Sequence, residues 1–265
     1  MRLRALTLAT ATGLVLAVAP TTAHAAAKPT FKVTASANKT AADVGQSIKV
    51  TGKVAGPRAA KKVLLVQRKV GTSAWKTVAK VRTTTKRKYS ASVKVTTAGK
   101  QHLRVVAPKS KKAKAGVSRT RAFTGWRWID LTTAPSENAG DNSRAEVRIA
   151  GKAYASKVMT FSGTGIYFNV GRVCSTFAAS IGVPDETSDT AELLTFTQKK
   201  ADFSDEAVPT TTAVAANTAP KAVRQSLTGV SLLGIGAGNG VLTTIAPQAR
   251  CSVNALAPVP ERIEN

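Results

Sequence analysis

The sequence predicts an all-β chain built as two successive β-sandwiches. Short runs alternate apolar with polar residues at a period of two, helical periodicity is missing over most of the length, and the charge changes abruptly partway along. From Ala26 to Gly125 there are 25 Lys and Arg against a single acid, Asp43, whereas from Trp126 to Asn265 there are 12 against 13. Surfaces with such different electrostatic demands are rarely mixed on one core, so the domain boundary is placed near Gly125. With 43% hydrophobic residues in 265, the chain has enough apolar material for two cores and is too apolar for wholesale disorder.

Residues 1–25 read as an export signal. Basic Met1-Arg2-Leu3-Arg4 precedes an apolar stretch from Ala5 to Ala19, a turn at Pro20, and Ala23-His24-Ala25, whose small first and third residues suit signal-peptidase cleavage after Ala25. The apolar stretch is too short to cross roughly 30 Å of hydrocarbon as a helix, and no later stretch is longer. A secreted, extracellular or wall-associated protein without membrane insertion is the expectation.

Residues 26–125 read as a basic sandwich. Strands are expected over 31–36, 47–54, 63–68, 75–81, 89–95, 101–106 and 116–123, punctuated by turn residues at Gly45, Gly56-Pro57, Gly71 and Gly99. Seven short strands in this length match the arithmetic of an immunoglobulin-like sandwich. Residues 126–265 read as a second sandwich, a jelly roll, with strands over 147–149, 157–161, 165–170, 176–183, 192–196, 221–227, 230–235 and 240–245. Gly234 to Gly240, rich in glycine but with no βαβ context, reads as a flexible turn region rather than a phosphate loop.

Catalysis finds little to work with. Once the signal is removed, His102 is the remaining histidine, and it lies in a strand-like run with no acid nearby in sequence. Two cysteines cannot make a zinc finger, but Cys174 and Cys251 form an even pair in an exported chain, so a disulfide is expected. Asp185, Glu186, Asp189 and Glu192 sit too close in sequence for the paired carboxylates of a glycosidase; a solvated loop is the first reading and a structural Ca²⁺ the weaker one. No cofactor is expected, and the chain reads as a non-enzyme.

Lys61-Lys62, Lys86-Arg87-Lys88 and the run containing Lys111 and Lys112 suggest an anionic polymer as partner for the basic half. Nucleic acid fits less well, because aromatic residues for base stacking are not interleaved. In the second half, Trp128 and Tyr154 are the aromatics expected to face a ligand, since both adjoin turn-rich segments.

Two family resemblances add to this. Gly45 to Val54, Val63 to Arg68 and Ser73 to Val78 resemble the immunoglobulin-like modules of secreted bacterial proteins, which serve as spacers or adhesive units. Ile149 to Val158, Ile166 to Asp185 and Leu227 to Leu233, with a Phe-Asn-Val-Gly strand followed by Phe-x-Ala-x-x-Gly-x-x-Asp, resemble the NPCBM/NEW2 family of carbohydrate-binding modules. That resemblance implies a galactose-binding-like β-sandwich and a carbohydrate or wall-glycan ligand, with Asp185 closing the motif. The sequence departs from the family at Gln198 to Asp202, where an Asp-Gly hairpin is usual, and at Gly240 to Pro247, which lacks the usual Asp and Trp. These departures define an alternative: a structural or adhesive surface protein whose sugar site has decayed.

Overall fold

The computed structural model describes residues 27–138, 142–163 and 165–260, and the export segment lies outside them. Every regular element among the described residues is a β-strand.

In the first sandwich, Lys32–Val33 and Ser36–Ala37 both pair with Ser47–Ala55, which pairs in turn with Lys88–Lys94. The facing sheet runs Lys76–Arg82, Val63–Val70, Gly99–Ala107 and Arg121–Asp130, with Ala41–Asp43 added in parallel to the last. A four-stranded sheet faces one in which an early strand, Ala41–Asp43, crosses over to lie parallel to Arg121–Asp130, which is an immunoglobulin-like order. Ser47–Ala55, Lys88–Lys94 and Gly99–Ala107 bury alternate residues for most of their length, so Ile48, Val50, Val93, Leu103 and Val105 meet Phe31 and Leu64 in one core.

The second sandwich opposes two sheets around a separate core containing Phe161, Phe168, Phe177, Ile181 and Leu233. One sheet orders Glu137–Asn138, Ile166–Asn169, Leu232–Ala237, Ala191–Gln198 and Val208–Val214. In the other, Leu242–Cys251 lies along Cys174–Gly182, which also pairs with Lys221–Ser226. The opposite edge of Leu242–Cys251 is divided between Val158–Phe161 and the end of Arg121–Asp130. The division falls at a bulge, where Ala246 has a positive φ of 48° and Pro247 has no N–H to give to a ladder.

Gly125 therefore lies inside a strand that both domains use. Arg121 to Gly125 pair with Leu103 to Gly99, and Arg127 to Asp130 pair with Cys251 to Gln248, joining the two sandwiches through one eleven-stranded sheet. A side chain at the crossing would force its neighbours to shift, since a Cβ on Gly125 would lie 2.4 Å from the Thr97 carbonyl oxygen and 2.6 Å from Gln101 Nε2. Asp43, the one acid of the basic half, salt-bridges Arg250 of the second sandwich at 2.7 Å. Asn254 accepts hydrogen bonds from the Ala98 amide and the Thr97 hydroxyl alongside it.

The Gly234–Gly240 reading is corrected. Gly234 and Gly236 lie within Leu232–Ala237, a strand buried at every position, and only the residues after Ala237 turn. A Cβ on Gly234 would lie 2.7 Å from the Tyr167 ring, and one on Gly236 would lie 2.8 Å from the backbone at Gly163 and Gly165. These glycines permit close approach rather than flexibility.

Cys174 and Cys251 are bonded, directly opposite each other on adjacent strands and 77 residues apart in sequence. Replacing both with Ser should lower the unfolding free energy by about 4 kcal/mol, the chain-entropy value for a loop of that length, as measured by guanidinium titration. Gly125→Ala should cost about 1–3 kcal/mol in the same titration, because the backbone at Thr97 has to move.

Candidate functional site

Ile129 points into the second core, so its neighbours Trp128 and Asp130 point out of the sheet. The adjacent strands present small side chains on that outer face: Ala178 opposite Gln248, Ser180 opposite Ile245, and Ala222 opposite Ser180. The result is a hollow of about 510 Å³ floored by Ala178, Ser180 and Ala222 and bounded by Trp128, Arg224 and Ile245. Trp128 is half-buried.

The aromatic wall is held by cations. The Arg224 guanidinium lies 5.7 Å from the centre of the Trp128 ring, and that of Arg250, fixed by Asp43, lies 4.8 Å from the centre of Trp126 two residues back. Asp130 anchors the end of this strand. Its carboxylate accepts hydrogen bonds from the Thr132 amide at 3.0 Å and hydroxyl at 2.7 Å, and pairs with Lys157 at 3.3 Å. Burial pushes the Asp130 carboxyl upward, but the Thr132 hydrogen bonds and Lys157 outweigh it and hold the group below its ordinary value.

The other two expected ligand residues have different surroundings. Tyr154 lies on the hairpin Val147–Ile149/Lys152–Tyr154, packed against a small cluster of Val147, Ile149 and Val158 that Ile245 completes. Ile245 also borders the hollow, whereas Tyr154 is not among the residues lining it. Asp185 accepts a hydrogen bond from the Gly151 amide at 2.9 Å and returns its own amide to the Arg148 carbonyl, fastening the hairpin turn. Asp185 thus positions the hairpin that carries Tyr154, while Trp128 lines the hollow itself.

A larger hollow, about 780 Å³, opens at the loop end of the sandwich and was not legible in the sequence. Three chain-distant segments form it, and its charged groups hold the loops together. Arg172 donates to the Lys199 carbonyl through Nε at 3.1 Å and Nη2 at 2.6 Å, and Asp205 accepts from the Lys199 and Lys200 amides at 2.7 and 3.0 Å. No aromatic ring lines it. These bonds occupy the Gln198 to Asp202 segment where the sequence departs from its family.

His102 sits in Gly99–Ala107 opposite Ala122 and Lys69, with a buried Nδ1 that makes no hydrogen bond. Neither of these cross-strand neighbours supplies the acid that orients the histidine of a Ser-His-Asp relay. The basic clusters lie at turns and strand ends of the first sandwich, with Lys88 opening the strand Lys88–Lys94.

Residues 116–241 match the NPCBM/NEW2 domain family. The match begins within the first sandwich and stops short of Leu242–Cys251. The immunoglobulin-like likeness of the preceding residues rests on strand order alone. No curated protein sequence matches the chain. Among solved structures it is similar to the crystal structure of "Putative membrane anchored protein from Corynebacterium diphtheriae", with 12% identity and a TM-score of 0.28. That alignment covers 91% of this chain and 61% of the other, so the chain spans less than two thirds of that protein's length, and so loose a likeness carries no argument.

The lowered carboxyl of Asp130 has a pH consequence. A depressed folded-state value gives stability that is present above the ordinary aspartate titration and is lost as pH falls through the lowered value. Asp130→Asn should therefore cost about 1–2 kcal/mol at pH 7, with the gap to the parent protein closing in strong acid. Urea titrations at a series of pH values read both.

Proposed function

We propose, from the premise that residues 116–241 are an NPCBM/NEW2 domain, that this is an exported, non-catalytic protein that binds carbohydrate at the bacterial surface. The family consists of carbohydrate-binding modules, and the observation that carries the reading to particular residues is the half-exposed Trp128 beside a floor of small side chains. A pyranose presents an apolar face to stack on an aromatic ring, and its hydroxyls need donors and acceptors at the rim. Trp128 supplies the first, and Arg224 and Gln248 supply the second, with the Ser180 hydroxyl on the floor. The Cys174–Cys251 disulfide fits an oxidising compartment, as expected of a secreted or wall-associated protein.

A second reading, of a structural or adhesive protein acting through an anionic polymer, is favoured by the basic sandwich. Its one acid is engaged by Arg250, and no other carboxylate is available within it to neutralise the remaining cations. The two readings are compatible on one chain, with the second domain holding sugar and the first acting as a spacer or polyanion contact.

A glycan array of the mature chain identifies the sugar, and calorimetry then compares variants. Trp128→Ala should weaken binding by about 1–3 kcal/mol with little change in melting temperature, as for an exposed stacking platform. Ala178→Leu, which fills the floor, should do the same. Glycan binding unchanged in both variants would remove the outer-face hollow from the proposal.

A further inference from the structure

The basic clusters, scattered in sequence, converge at one pole of the first sandwich. The Val54 amide donates to the Arg87 carbonyl at 3.0 Å, the Thr83 amide to the Lys62 carbonyl at 2.9 Å, and the Phe31 amide to the Lys114 carbonyl at 3.2 Å. Lys53 and Lys88 are directly opposite on neighbouring strands, and Lys111 and Lys112 form the turn between the bridged residues Ser110 and Ala113. Asp43, Thr97 and Gly99, which face the second sandwich, lie at the other ends of these strands. The sole acid is therefore at the junction end, away from this pole, and no ion pair among the described residues involves a cation of the pole.

The fold accepts costs to keep these charges. Like charges directly opposite on adjacent strands, as at Lys53 and Lys88, are destabilising. Arg58, Lys61 and Arg87 hold positive φ values of 54°, 54° and 61°, in the left-handed region where Gly or Asn is less strained. Lys62 is tucked over the Phe31 ring at 4.4 Å, and burial lowers its pKa.

Between Lys53, Arg82 and Lys88 runs a groove of about 590 Å³, edged by the hydroxyl-bearing residues Thr51, Thr84 and Ser90. Gly52 beside the groove lets the chain pack closely beneath it, because a Cβ there would strike the Thr34 carbonyl and the Tyr89 hydroxyl. That hydroxyl donates to Thr34 at 2.6 Å, and burial pushes its pKa up to about 12, so it stays neutral.

We propose that this groove and the cations around it bind a narrow, flexible polymer of phosphate groups, with Lys53, Arg82 and Lys88 holding one stretch and Lys61, Lys86 and Arg87 meeting the next. The proposal rests on the polyanion reading above and gives it a site and a ligand class. Cations with hydroxyl donors suit phosphate oxygens, and cations continuing beyond the groove suit a chain rather than a single ion. The aromatic residues of the pole, Phe31 and Tyr89, are 2% and 4% exposed, so no platform is offered to nucleic-acid bases. A duplex or a bilayer is too broad to enter a groove of this size and would touch only its rim.

The test uses the mature full-length chain with inorganic polyphosphate, followed by calorimetry over a salt series. The parent chain should bind more tightly than it binds single-stranded DNA, duplex DNA or anionic phospholipid vesicles. Lys88→Glu should weaken binding about tenfold and reduce the salt slope by about one. The same substitution should raise the melting temperature at low salt, since Lys53 then faces an opposite charge. Lys53→Glu should behave alike. Lys100→Glu, an equal charge change at the junction end, should alter affinity less than about twofold, as expected of a screened distant charge. Equal losses in Lys88→Glu and Lys100→Glu would overturn the site and leave only a diffuse polyanion surface. Preference for DNA or vesicles would overturn the ligand class, and no binding to any polyanion at low salt would overturn the underlying reading as well.

Discussion

One uninterrupted strand, Arg121–Asp130, sets the arrangement of everything else. Its first half closes one sandwich and its second half enters the other, so the domains meet without a linker. Gly125 permits the crossing because its hydrogen atoms fit where Thr97 and Gln101 leave no room for a methyl group. The charge change in the sequence and the end of the first core both fall at this point. The hydrogen-bonded ladder does not break there.

The outer-face hollow follows from the same strand. With Ile129 drawn into the second core, the period of two turns Trp126, Trp128 and Asp130 outward in a row. Asp43 steadies Arg250, Arg250 covers Trp126, and Arg224 approaches Trp128, so contacts from both domains fix the aromatic wall. The disulfide at the far end of the ladder keeps Cys174–Gly182, which supplies part of the floor, in register with Leu242–Cys251. An acid that looks too sparse to matter in the composition of the basic half thus contributes to a surface of the other half.

Much of this was legible in the sequence where burial is one-sided. Ser47–Ala55, Lys88–Lys94 and Gly99–Ala107 alternate apolar with polar residues because one face meets a core and the other meets water. Val208–Val214 was not legible. It is an edge strand with little buried surface, its Val-Pro-Thr-Thr-Thr sequence carries no alternation, and its pairing with Ala191–Gln198 is the only cue to its state. Trp126 to Asp130 gave no strand signal for a related reason, since its outward positions are aromatic and its inward ones include Arg127. At the candidate site, Trp128 could be picked out as an aromatic beside turns. The structural duty of Asp185 could not, because the Gly151 amide it binds is brought near only by the folded hairpin.

The absence of a linker has a mechanical meaning. Two modules on a flexible tether search independently, and the gain from their joint binding depends on tether length. Here the two sandwiches share Arg121–Asp130, so no tether separates the pole of the first from the outer face of the second. Load passing from one domain to the other runs through the hydrogen bonds on both sides of Arg121–Asp130, and the joint can yield only by parting strands from a sheet.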